Sequence, residues 1–210
     1  MALAASLSAL LAVVLFTFVV TALGHRLLRL CSFELVSPTE HLLCSTALGV
    51  ICTELCLFFS QMSGNVSAGA LVVIVVIFLL AASEFAAVLR RLSQVVHSVL
   101  DGPRLEKTLI SITGLVLLVE GLAAMGPLTG SDALHYHFAA PLLILRSGFH
   151  PNFFLSHSFF CGQSHLLILL GLAFGSGRFA MGLMFLGGFL AAAASVCLMR
   201  RWVSGSWMWT

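Results

Sequence analysis

The residues able to do chemistry are unevenly spread along this 210-residue chain. Beyond Glu120 the only acidic residue is Asp132, and five of the eight histidines (His135, His137, His150, His157 and His165) follow it closely. Tyr136, beside two of them, is the only tyrosine. Asp132 ends a turn-forming stretch, Gly126-Pro127-Leu128-Thr129-Gly130-Ser131. If the chain turns helical there, Asp132 shares a face with His135 and Tyr136, three and four residues on. A carboxylate suits a helix N-terminus, so Asp132 fits a helix cap. It equally fits a general base, since a carboxylate in a partly apolar pocket can take a hydroxyl proton. His135 and His137 are two apart, not the i, i+4 pair of zinc proteases, and HExxH is absent. The histidines therefore read as interfacial hydrogen-bonding groups, with no metal site assigned.

Three more carboxylates lie inside apolar runs: Glu54, Glu84 and Glu120. Such groups are costly in lipid and are often functional. Glu84 is within two turns of Arg90 and reads as an interfacial carboxylate. Glu54 is mid-run and needs a partner or a proton. Glu120, near the outer end of its run, is placed to face a water-filled vestibule beside Asp132.

Long helices must position these groups. The chain is 60% hydrophobic and 9% charged, against roughly 25% charged in an ordinary soluble domain. A water-facing surface cannot be built from so few charges, whereas apolar runs of about 20 residues cross a bilayer. The net charge of +2 gives no field for nucleic acid, and no P-loop, dinucleotide or zinc-finger signature occurs. The expected fold is an all-α, polytopic transmembrane bundle forming a single domain over 1–210, with about six spans: 3–23, 41–61, 68–89, 108–125, 165–175 and 179–199. The first run has spanning length and no basic region before it, so it reads as a retained helix rather than a cleaved signal. The polar segment 90–107, with Asp101-Gly102-Pro103 as breaker, joins spans three and four. The six cysteines, without a CxxC pair, read as small buried hydrophobes. Asn65-Val66-Ser67 matches the glycosylation sequon, a tripeptide common by chance.

Basic residues orient the spans. Arg26 and Arg29 follow span one, and Arg90, Arg91, Arg104 and Lys107 lie between spans three and four. The positive-inside rule places both groups, and Arg178, in the cytoplasm. The loop 128–164 is then extracytoplasmic. Arg200 and Arg201 fall outside against the rule, which a re-entrant fifth run would explain, as would topology set by the earlier helices. Within the loop, 138–145 is apolar but too short to span, and it ends at Arg146-Ser147-Gly148. It reads as an interfacial helix stopped by Gly148.

The stretch Pro127-Leu128-Thr129-Gly130-Ser131-Asp132-Ala133-Leu134-His135-Tyr136-His137-Phe138-Ala139-Ala140-Pro141, followed by Gly148, Asn152 and a new span, resembles the first extracytoplasmic loop of GT-C-type membrane glycosyltransferases related to protein mannosyltransferases. The resemblance covers about residues 110–200. It implies a catalytic Asp132 acting on an acceptor hydroxyl, with Glu120, His135, Tyr136, His137, Arg146 and Gln163 lining the cavity. The implied partners are membrane lipid and a sugar carried on polyprenyl phosphate, in a bacterial cytoplasmic membrane. No cofactor is required by these residues, and a divalent metal is the one the resemblance admits. Family members often carry a second acidic residue here. In this chain the neighbours of Asp132 are Ser131 and Ala133, and the next span opens with Gly162-Gln163-Ser164. Relatives are also longer, so the resemblance implies an N-terminal portion of such an enzyme. Two other functions fit the residues alone: a non-enzymatic scaffold or lipid-binding subunit, and a transporter fragment using Glu54 and Glu120.

Overall fold

The structure, a computed structural model, describes residues 2–33, 35, 37–61, 65–101, 104–124, 126, 138–147 and 163–206. Among them there is no strand. The helices are α1 (Ala2–Leu30), α2 (Pro38–Gln61), α3 (Val66–Ala81), a 3₁₀ turn (Ala82–Glu84), α4 (Phe85–Leu100), α5 (Arg104–Ala124), α6 (Ala139–Ser147), α7 (Gln163–Ala173) and α8 (Gly177–Ser206). Among the described residues, five helical stretches are long and apolar enough to cross a membrane: Ala4–Leu30, Pro38–Ser60, Val66–Leu100, Lys107–Ala124 and Gly177–Leu198. The expected all-α transmembrane bundle is the observed fold.

The hub is α1, which packs against α2, α3, α4 and α8. Its residues from Val20 to His25 are all buried. Val13, Phe16, Val20 and Leu23 meet Leu57, Ala70, Val73, Ile77, Leu170 and Leu183 in one apolar core. The α1–α2 crossing is close because glycine lies on both sides. A Cβ on Gly24 would collide with the Ser45 carbonyl, and one on Gly49 with the Val20 carbonyl. Small residues permit such approach between helices in lipid, where packing rather than water exclusion drives association. The threonine hydroxyls along this seam are satisfied locally. Thr17, Thr21, Thr46 and Thr53 each donate to a carbonyl four residues back.

The helix ends follow from local chemistry. At the close of α1, Phe33 N–H donates to Leu28 C=O (2.9 Å) and Ser32 N–H to Arg29 C=O (3.0 Å). Ser32 sits at φ 53°, the left-handed cap that glycine usually fills. Gly175, at φ 72°, closes α7 the same way, with Ser176 N–H donating to Gly171 C=O (3.0 Å). Ser176 then caps α8, its Oγ accepting from Phe179 N–H (3.1 Å). Asn65 Oδ1 caps α3 by accepting from Ala68 N–H (3.1 Å).

Three sequence expectations change. The segment from Arg90 is not a linker: helix continues through Leu100, and the chain bends its hydrogen-bond pattern instead at Ala82–Glu84. Apolar residues recur in that extension at Leu89, Leu92, Val96 and Leu100, a helical spacing that holds the chain in α4. The fifth expected span is α7, only 11 residues long, or about 16 Å, half the hydrocarbon thickness. Phe179, just after the α7–α8 turn, packs edge-on against Phe16 at the middle of α1 (6.3 Å, 78°). The turn therefore lies beside the midpoint of α1 rather than its end. Not all of the cysteines are buried either: Cys31, Cys44 and Cys56 are exposed on the bundle surface, while Cys52 packs against the core. Helix α6, expected at 138–145, is present at Ala139–Ser147 and rests mainly on α7.

Candidate functional site

The glycine-mediated approach of α1 to α2 has a consequence one turn further on. His25 and His41, near the joined ends of the hairpin, lie with Nδ1 and Nε2 only 2.7 Å apart. Both residues are buried. One turn into the bundle, the Thr21 and Thr46 hydroxyls are 2.8 Å apart. The separation of the two imidazoles is that of a hydrogen bond, so one nitrogen must carry the proton and the other accept it.

The 3₁₀ turn supplies the charge. Glu84 ends it and is 1% exposed. Its Oε2 lies 3.6 Å from His25 Nε2, and its Oε1 lies 2.6 Å from Arg29 Nη2. The Arg29 contact is an ion pair by distance, with no N–H aligned on Oε1 as a hydrogen bond. Arg26 Nη1 donates to the Leu80 carbonyl (2.7 Å), next to the point where the i→i+4 pattern is interrupted. Three residues of α1, His25, Arg26 and Arg29, thus converge on the Leu80–Glu84 break. Arg91, two turns beyond Glu84 on α4, acts electrostatically on both histidines. Glu84 therefore belongs to a buried cluster with α1 and is not the interfacial carboxylate that its spacing from Arg90 suggests.

Two polar atoms of α2 face this cluster's helix pair without a hydrogen bond among the described residues: His41 Nδ1 and Ser45 Oγ. They belong to residues one turn apart. Chemically, the array can hold a proton between two rings and balance it with one carboxylate. No group of three or more His, Cys, Asp or Glu among the described residues is arranged to hold a metal ion.

The sequence-derived residues fare differently. Asp132, His135, Tyr136 and His137 lie outside the described residues, as do His150 and His157. Glu120 is exposed in the last turns of α5, and Arg146 is exposed in the last turn of α6. Among the described residues no hydrogen bond or ion pair joins them. Gln163 opens α7, with its side chain outside the described set. Glu54 is buried within α2, 9% exposed, and no hydrogen bond or ion pair reaches it from a described residue.

The described residues on either side of the Asp132 stretch both reach α8. Gly121, at the end of α5, approaches Phe185 so closely that a Cβ there would sit 3.1 Å from the ring. At the other end Phe138 is buried with Ile168 and Ala180. Phe185 and Ala180 belong to one helix, α8, about 7.5 Å apart along its axis. Gly121 and Phe138, the described residues on either side of that stretch, thus pack on neighbouring turns of α8.

His25 and His41 carry a signal that sequence reading passed over. They flank the connection of a helical hairpin, so they had to lie at the same end of the bundle. No family model, curated protein or solved structure matches the chain.

Proposed function

We propose that this integral membrane protein is glycosyltransferase-like, of the GT-C kind, and moves a sugar from polyprenyl phosphate to a hydroxyl acceptor at the extracytoplasmic face. The host membrane in this proposal is the bacterial cytoplasmic membrane. The supporting observation is that the described residues flanking the Asp132 stretch, Gly121 and Phe138, both pack on α8, against Phe185 and with Ala180, and that the short helix α6 follows. That helix exposes Leu142, Leu143 and Arg146 while burying Pro141. An apolar face with a basic end suits the boundary where a lipid carrier and a polar acceptor meet.

In this proposal Asp132 takes the proton of the acceptor hydroxyl. The acceptor oxygen bonds to the anomeric carbon as the bond from that carbon to the phosphate oxygen breaks. Polyprenyl phosphate leaves with the electron pair. Glu120, His135, Tyr136, His137, Arg146 and Gln163 are the proposed cavity neighbours.

An Asp132→Asn variant tests the role, because asparagine caps a helix as well as aspartate does but cannot act as base. Transfer from a polyprenyl-phosphate sugar is expected to fall at least about a hundredfold, the ordinary contribution of a general base. Unchanged transfer would remove the catalytic role and leave the cap.

Glu54 supports a second proposal, that of an ion or proton transporter, because a buried carboxylate within a span and without a described partner is a functional mark. Loss of uptake in Glu54→Gln, with Asp132→Asn unaffected, would favour it over transfer.

A further inference from the structure

Independently of that proposal, we infer that the His25–His41 contact is a proton-binding site that works as a latch between α1 and α2. The geometry carries the inference. At 2.7 Å the two ring nitrogens accommodate one proton between them. A neutral pair meets this with a single N–H. One added proton is also accommodated: His25 becomes an imidazolium that donates through Nδ1 to His41 and turns Nε2–H toward the Glu84 carboxylate, 3.6 Å away. A second added proton places N–H against N–H. The hydrogen bond then has no acceptor, and two cations face each other in a buried site.

The surrounding charges bear on that last step. Glu84 on the 3₁₀ turn is a carboxylate acting on His25, and it is shared with Arg29 of α1. Arg91 of α4 adds a further positive charge acting on both rings. A doubly protonated pair would stand beside the guanidinium groups of Arg29 and Arg91, with the Glu84 carboxylate already shared with Arg29. Separation of the helix ends is the available relief. Gly49 against Val20, with the Thr21–Thr46 contact, holds the crossing at least one turn deeper and acts as the pivot. The unsatisfied His41 Nδ1 and Ser45 Oγ mark the side on which water can follow when the ends part. The ligand is the proton, and the readout is the separation of two helix ends.

The test uses the full chain in lipid nanodiscs with ring-15N histidine. At neutral pH a scalar coupling between the His25 and His41 ring nitrogens, transmitted across the hydrogen bond, is expected. On acidification to about pH 4, well below the ordinary histidine pKa of about 6.5, that coupling should vanish. Amide exchange protection at His41–Ser45 should fall at least tenfold at the same time. His41→Asn should lack both the coupling and the acid-dependent step in protection. Absence of coupling at every pH would overturn the shared proton. Coupling that survives this acidification, or coupling lost with protection intact, would overturn the latch. Because the wild-type chain carries the main measurement, a misfolded variant does not rescue the idea.

Discussion

At the scale of single residues, backbone approach governs what side chains can do. Gly24 and Gly49 are the positions where a methyl group meets a carbonyl of the opposite helix. Gly24→Ala should destabilise the bundle by about 1–3 kcal/mol, the usual range for overpacking, seen as a lower melting temperature in detergent micelles. It should also weaken the His25–His41 contact one turn away. Ser32 makes the opposite case. It holds a left-handed conformation that glycine adopts without steric cost, and its surface is exposed. Ser32→Gly is therefore expected to stabilise by roughly 0.5–1 kcal/mol. No gain in melting temperature would mean that the cap is not formed. The motif residues around Asp132 stood out in the sequence because reactive types are scarce in the rest of the chain. His25 and His41 did not stand out, because sixteen positions separate them and only the hairpin joins them.

At the scale of elements, the break at Ala82–Glu84 matters more than the length of the helices it connects. A continuous stretch from Val66 to Leu100 would be about 52 Å long. Its one irregular turn is where Arg26, Arg29 and His25 all point. Arg29→Ala leaves the Glu84 carboxylate, 1% exposed, without its closest cation. Arg29 is itself 65% exposed, so solvent screening limits the loss to about 1 kcal/mol. Glu84→Gln in the same background should recover part of that melting-temperature loss, since no charge then needs a partner. No recovery would show that Glu84 is not charged through this pair. The seat of α8 on α1 can be measured in the same way. A double-mutant cycle on Phe16 and Phe179, with both changed to Leu, should give a coupling of about 0.5–1.5 kcal/mol. A coupling near zero would unseat the α7–α8 turn from the middle of α1.

At the scale of the whole molecule, the outward surface decides the solvent. Leu71, Val72, Val75, Val76, Phe78, Leu79 and Leu80 on α3, and Leu109, Ile112, Leu115, Val116, Leu118 and Val119 on α5, are all exposed. Apolar faces this long are stable only against hydrocarbon. The protein is accordingly expected to stay with the membrane pellet through alkaline carbonate extraction. Recovery in the supernatant would contradict the spanning helices.

The run of apolar residues and the scarcity of charge were enough to determine an all-helical membrane protein, because in lipid each backbone N–H and C=O must be satisfied within its own helix. That constraint acts on local sequence, so the positions of α1, α2, α3, α5 and α8 were legible before any contact was known. The type of α6 was legible too, from a short apolar stretch ended by Arg146-Ser147-Gly148. Which carboxylate would be buried with which base was not legible. Glu84 has Arg90 near it in sequence but Arg29 and His25 near it in space, and only the crossing of α1 with the Ala82–Glu84 turn makes that choice. Pairing between helices depends on rotation and depth, which the small residues of the seam set to within one turn and which no hydropathy pattern encodes.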